Sequence, residues 1–386
     1  MNKVRLYILL FLVSNSLPNF ALDLRKPLLS NADSAQIYCA MGISKNNVKE
    51  YGSAIACFTK ALEFDSNLVA AWLNRANAKK ELLDYKGALK DYNHLHRLTP
   101  TWEEQYEAYY NKGLTLALLN NLRDAMTDFS KAIELYPEYI DAYYNRSIVK
   151  GKIGDYQGEL NDINKVIALR PNDANAYNSR GITESMMGDD PLAILDFTQA
   201  IGLDKTNSNA YFNRAILHYN QKEYLEALND YNSCIEINPD PETYNRRANV
   251  KCRLKDFRGA FEDYNLAMKT KPDNYVAYLN RGLLKIELKE YKSAIEDFSA
   301  AIKLKPDYSI AFFNRGMAKG KLNNRQGEID DYTMAINYKP NYEIAYYQRG
   351  LARYEIADKR GGCADLNMAV RYGSEIAYSD LPKYCK

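Results

Sequence analysis

"NRGLLKIELKEYKSAIEDFSAAIKLKP", Asn280 to Pro306, is answered 34 residues later by "NRGMAKGKLNNRQGEIDDYTMAINYKP", Asn314 to Pro340. Both stretches open on Asn-Arg-Gly, set an Asp before an aromatic, continue with Ala-Ile and close on Lys-Pro. The apolar spacing inside the second is helical twice over. Phe312, Gly316 and Lys319 fall on one helical face, Ile329, Tyr332, Ala335 and Ile336 on another, and the polar "LNNRQG" lies between them. This spacing predicts two helices joined by a short turn.

Outward from this pair, the Arg of Asn-Arg-Gly recurs as Arg75, Lys112, Arg146, Arg180, Arg214, Arg247, Arg281, Arg315 and Arg349. The steps are 34 residues except for one of 37 and one of 33. The long step comes from residues inserted around "TWEEQ", the short one from a trimmed "NPDPET", and both fall between units, where insertions are tolerated best. Counting back 34 from Arg75 reaches Met41, which opens a degenerate first copy. The sequence thus holds ten copies over residues 35–374, and a chain of internal repeats replaces the two or three compact domains its length would suggest.

A 34-residue period with two helices per unit resembles the tetratricopeptide repeat. Numbering each unit 1 to 34, position 4 carries Trp72, Tyr109, Tyr143, Tyr177, Tyr211, Tyr244, Tyr278, Phe312 and Tyr346. Position 8 is small, and position 24 is aromatic from Phe58 to Tyr332, with Ile163 and Leu366 as departures. The resemblance implies an all-α fold, a right-handed α-α superhelix or solenoid with a long concave face. Single units cannot bury their apolar faces alone, so they stack. It also implies a non-enzymatic scaffold.

Position 7 is apolar in most members of that family, yet here it is cationic in nine of ten copies, and position 23 is Asp in nine of ten. Antiparallel helices joined near position 15 bring these two positions opposite each other. Arg281 with Asp297 and Arg315 with Asp331 are therefore expected to form forked, charge-assisted hydrogen bonds. The first copy lacks both partners, carrying Met41 and Cys57.

Position 6 is Asn in six copies, Asn74, Asn111, Asn145, Asn213, Asn280 and Asn314. The resemblance places this position on the concave side, where an amide offers a donor and an acceptor to the backbone of an extended peptide. The other reading is that these amides keep the face wet or cap local backbone. Position 5 beside them carries Tyr110, Tyr144, Phe212, Phe313 and Tyr347, residues that suit a protein partner. The partner expected is therefore a protein or peptide. A glycan held by the same Tyr and Asn residues is the alternative.

The first 23 residues, "MNKVRLYILLFLVSNSLPNFALD", set two cations before an apolar run, Leu6 to Val13, and a polar stretch ending in Ala21. This is the layout of a secretory signal, and the run is too short for an ordinary membrane span. Residues 1–21 read as a signal peptide, 22–34 as a linker and 375–386 as a terminal cap. The expected destination is outside the cytoplasm, in the periplasm, cell envelope or medium, with no stable membrane span after signal removal. Without the signal, cations and acids balance at 49 each, which leaves no basic surplus for nucleic acid. Six Cys in an exported chain invite pairing. Cys363 and Cys385 lie equally far from the turn at Gly373, and the ending from Gly361 resembles the closing segment of exported bacterial repeat proteins. Cys39 and Cys57 also flank a turn almost evenly, whereas Cys234 and Cys252 are poorly matched and read as small core thiols. His94, His96 and His218 have no recurring partner, and no phosphate loop or nucleophile motif is present. The sequence calls for no cofactor, metal or catalytic residue.

Overall fold

The structure, a computed structural model, describes residues 30–95, 97–98 and 101–385. The expected signal 1–21, most of the linker, His96 and Pro100 lie outside the described residues. Those described form twenty-one helices and no strand. They divide into two compact units, with the boundary between residues 149 and 150.

The first unit holds the hairpins Asn31–Asn47 with Tyr51–Phe64, Val69–Glu81 with Tyr85–Leu95, and Trp102–Leu118 with Leu122–Leu135. The second holds six hairpins, from Ala174–Met186 with Asp190–Leu203 to Glu343–Glu355 with Lys359–Arg371, and ends on the helix Glu375–Tyr384. Within each unit every helix packs on the next. First helices of successive hairpins also touch, so that Tyr275–Glu287 meets both Pro241–Arg253 and Ser309–Lys321. These first helices share one side of the stack, and the architecture is an all-α repeat solenoid.

The core follows a size rule between positions 8 and 24. Where position 24 is Phe58, Phe129, Phe197 or Phe298, position 8 is Gly42, Gly113, Gly181 or Gly282. A Cβ added at these glycines would meet the ring carbons at 2.5–2.8 Å, closer than packed carbons approach. Where position 24 is Tyr92, Tyr231 or Tyr264, position 8 is instead Ala76, Ala215 or Ala248. Tyr92 and Tyr264 donate their hydroxyls to Asn77 Oδ1 at 2.5 Å and Asn249 Oδ1 at 2.6 Å. Gly316 opposite Tyr332 departs from the rule, and there a Cβ would stand 3.0 Å from the ring.

Each hairpin turns at position 15 through the left-handed region. Eight of these residues are not glycine, among them Leu83 at φ 63° and Lys289 at φ 61°, while Gly154 and Gly188 supply the other two. The turn satisfies the last carbonyls of the first helix. Lys289 N–H donates to Ile286 O at 2.9 Å and Glu290 N–H to Lys285 O at 2.8 Å, the paired bonds of a Schellman closure. A non-glycine residue there costs about 1–2 kcal/mol, and glycine returns part of that gain through its freer unfolded chain. Leu83→Gly is therefore expected to stabilise the first unit by about 0.5–1 kcal/mol, read as a higher urea midpoint.

Candidate functional site

The residues singled out in the sequence separate into a seam between hairpins and a face beside it. At the seam, Arg281 donates Nε and Nη2 to the two oxygens of Asp297 at 2.9 and 2.6 Å. Arg315 grips Asp331 in the same fork at 2.9 and 2.7 Å. Arg75 with Asp91, Arg180 with Asp196, Arg214 with Asp230, Arg247 with Asp263 and Arg349 with Asp365 repeat the geometry. These Asp residues are only 1–6 % exposed. The hydrogen bond to Asp230 holds Arg214 above the usual guanidinium range against the opposing effect of burial.

Two further parts of the seam escaped the sequence reading. The remaining arm of each Arg reaches position 25 of the preceding hairpin. Arg75 donates Nη1 to Thr59, Arg214 to Thr198, Arg281 to Asn265, Arg315 to Ser299 and Arg349 to Thr333. A second cation, at position 11, sits on the same Asp. Lys285 stands 2.9 Å from Asp297 and Lys319 2.7 Å from Asp331. The signals were a hydroxyl or amide at every such position 25 and a Lys four residues after the Arg. Where the pattern thins, the Asp suffers. Asp128 has Lys112 at 3.2 Å in place of a fork, and burial pushes its carboxyl up.

The asparagines of position 6 have partners within the protein. Asn74, Asn111 and Asn314 donate Nδ2 to the carbonyl one turn back, on Ala70, Glu107 and Ile310, at 2.7–3.0 Å. Asn213 donates to Asn178 Oδ1 and Asn280 to Asn245 Oδ1, both at 3.1 Å and both 35 residues earlier. Asn145 does both, reaching Asp141 O at 2.8 Å and the Tyr110 hydroxyl at 3.1 Å. Position 6 thus leans on position 5 of the hairpin before it. Among the described residues Asn111 Oδ1 takes Lys80 Nζ at 3.3 Å, and no protein donor reaches Oδ1 of Asn213, Asn280 or Asn314.

The aromatics of position 5 are half-buried and ring-packed. Tyr110 lies 4.8 Å from the Tyr139 centroid, Phe313 5.2 Å from Tyr342, and Phe212 meets Tyr231 edge-on beneath the Arg246 guanidinium. Tyr144 is half-buried as well. Tyr347 donates to Asp380 of the last helix at 2.8 Å; burial first, and that bond second, push its phenol up to about 12.

Cys363 and Cys385 are brought together, with Cα atoms 5.4 Å apart, inside the range a disulfide spans. Cys39, Cys57, Cys234 and Cys252 are free thiols. His94 stacks on Trp72 at 4.1 Å and His218 Nδ1 meets Glu223 at 2.6 Å. Among the described residues no three His, Cys, Asp or Glu gather as a metal site, and no helix is long and apolar enough to cross a membrane.

Residues 106–139, 208–241 and 275–308 each match a family model described as the tetratricopeptide repeat, and residues 35–68 match a second model of that description. The chain is a tetratricopeptide repeat protein. As such it is a scaffold for protein–protein interaction. Among solved structures it resembles the C-terminal part of a TPR repeat-containing protein from Cytophaga hutchinsonii, at 16% identity and TM-score 0.52, over 62% of this chain and 98% of that one. A tetratricopeptide repeat protein from Parabacteroides merdae shows 20% identity and TM-score 0.50, over 65% of this chain and 98% of its own. At these identities the likeness is one of fold. No curated protein sequence matches the chain.

The geometry assigns the Arg and Asp rows to the repeat's own cohesion. Arg281→Leu leaves a buried Asp297 held by Lys285 alone and frees Asn265. Its expected cost is about 1–3 kcal/mol, read by urea unfolding of the full chain, and a ligand titration on the folded variant should be unchanged.

Proposed function

We propose that this scaffold takes its partner as an extended peptide segment laid along the first helices. The observation that carries the reading is the amide row of position 6. Each Asn commits one N–H internally, which fixes its side chain, and in Asn213, Asn280 and Asn314 the carbonyl oxygen is left for an outside donor. A peptide backbone carries one N–H per residue, so oxygens held at the same position on several hairpins, with Arg246 interrupting the row between Asn213 and Asn280, can be met by many sequences. Position 9 adds an aliphatic row alongside, Ile182, Ile216, Leu283, Met317 and Leu351, with Ile182 and Leu283 more than a third exposed. Exposed aliphatic side chains next to fixed amides suit a chain segment that binds by backbone and is sorted by its side chains. The half-buried rings of position 5 give this face stiffness, and only their edges are left to a partner.

Asn213→Ala, Asn280→Ala and Asn314→Ala combined should weaken capture of an unstructured peptide library by about 1 kcal/mol for each lost hydrogen bond, with imperfect additivity. Some stability should be lost as well, because Asn314 is 6% exposed and Asn280 serves Asn245, which is 7% exposed, so binding is read on the folded fraction. The measurement is a binding isotherm for a selected peptide beside a urea melt. Normal binding by the folded variant would remove the amide row from function.

We further propose that the protein acts outside the cytoplasm. Two features support this, the tripartite first 21 residues and the adjacency of Cys363 and Cys385, because disulfides persist in oxidising compartments. Such a bond closes the helix Glu375–Tyr384 against the hairpin before it, and a loop of this length contributes about 3 kcal/mol. Intact mass of protein from its native host should match a chain lacking the leader and two hydrogens. A full-length mass in the cytosolic fraction would overturn the reading.

A further inference from the structure

Position 11 is where one hairpin inverts the electrostatics of the others. Lys79, Lys251, Lys285 and Lys319 place Nζ 2.7–2.9 Å from the buried Asp of their own hairpins. Lys150 stands 2.8 Å from Asp162, and Arg353 reaches Asp365 at 2.8 Å. In the hairpin of residues 174–207 this position is Glu184. Its side chain is 12% exposed, Oε1 lies 3.9 Å from Arg180 Nε, and Oε2 is buried without a hydrogen-bond partner. Asp196 opposite already takes both forked N–H groups of Arg180, at 2.6 and 2.7 Å. In those hairpins two cations serve one carboxylate; here one cation serves two carboxyl groups.

The surroundings offer no relief. On the same helix Arg180 is the one cation within 4.0 Å of Glu184 among the described residues, and its third arm is held by Asn164 of the helix Tyr156–Leu169. That helix also presents Glu159, itself pushed up by burial. The turn adds Asp189, and the helix Asp190–Leu203 adds Asp196. On the helix Ser208–Asn220, Arg214 is spent on Asp230 and Thr198, and His218 on Glu223.

We infer that hairpin 174–207 is a proton-operated joint in the stack. With Glu184 protonated, its O–H donates to the Asp196 carboxylate, and the hairpin closes as its neighbours do. When the proton leaves to solvent, two carboxylates share one guanidinium in a partly dry site, and the helices Ala174–Met186 and Asp190–Leu203 loosen. Burial, and after it Asp196, push the Glu184 carboxyl up to about 7. The folded value thus lies above the ordinary glutamate value, so folding takes up a proton. The stability it carries is complete in acid, falls once the unfolded chain ionises, and is gone as pH rises past the folded value.

Hydrogen exchange of the full-length protein, read by mass spectrometry from pH 5 to pH 8.5 and corrected for intrinsic rates, tests the joint. Peptides from 174–207 should lose protection by at least about tenfold more than those from 275–308, whose Asp297 keeps Lys285, with a midpoint near neutrality. Glu184→Gln donates to Asp196 at every pH and should flatten the profile. Glu184→Lys restores the pairing of the other hairpins and should raise protection at pH 8. Equal profiles for the two hairpins in the unaltered protein, or an undiminished pH dependence in Glu184→Gln, would overturn the inference. The Gln variant decides the matter if the Lys variant fails to fold.

Discussion

A guanidinium wedged half-buried between hairpins is the constraint on which the stack depends. Arg281 uses three of its N–H groups at once, two on Asp297 of its own hairpin and one on Asn265 of the hairpin before. An ion pair this far from water gives little net stability, because desolvation offsets most of the Coulomb attraction, and an apolar pair of the same volume often does as well. Its contribution is direction. Apolar helix faces tolerate small slides against one another, whereas a planar fork with a third arm tied to a neighbour is satisfied in one arrangement only. Repeats with nearly identical faces need such a device, since misregistered packing would bury almost as much surface as the correct one.

The device also explains the second cation. An Asp at 1–6% exposure carries four lone pairs, and the fork uses two of them. Lys285 supplies a further contact at 2.9 Å to Asp297 Oδ2, the oxygen that also accepts Arg281 Nε. In the hairpin of residues 106–139, with Leu116 in place of that ammonium and Lys112 in place of the fork, Asp128 keeps one cation at 3.2 Å and its Oδ2 has no hydrogen bond. Replacing the ammonium with a carboxylate, as Glu184 does, reverses the sign of the local field. The same position, read along the chain, thus grades hairpins from doubly satisfied to frustrated, while the helices around it keep their geometry.

Much of this was legible in the sequence because the repeat supplies its own internal comparison. The Arg and Asp rows were readable since both lie eight residues from one turn, and a hairpin brings such positions together. The link to position 25 was not, because Thr59, Ser299 and Asn265 share a function but no letter, and the contact crosses from one unit to the next. The asparagine row failed in the same way. Asn280 finds Asn245 at 35 residues, one more than the period, and a search within a unit leaves it partnerless. Position 5 looked exposed because helical periodicity alone does not report the ring of the next loop, Tyr342 over Phe313 or Tyr139 over Tyr110. The rule that pairs Gly with Phe and Ala with Tyr lay in plain view, but its reason needed the 2.5–2.8 Å approach to the ring.

Seam and face therefore draw on different positions, and this separation is what lets a repeat array choose partners. Cohesion comes from positions 7, 11, 23 and 25 together with the small and aromatic pair at 8 and 24. The proposed binding face comes from positions 2, 6 and 9, which the Arg–Asp forks do not use. Position 2 shows the freedom that results. It is Gln36, Ala70, Glu107, Asp141, Asn175, Asn209 and Glu242 through the first seven copies, then Val276, Ile310 and Ile344 in the last three. The forks of Arg281, Arg315 and Arg349 beneath those three are as short as the fork of Arg180 beneath Asn175, to within 0.3 Å. A chain can thus turn part of its face from polar to aliphatic without disturbing the seam. On the face proposed above, selectivity must then arise from which copies carry which face residues, because the scaffold beneath reads the same from one copy to the next.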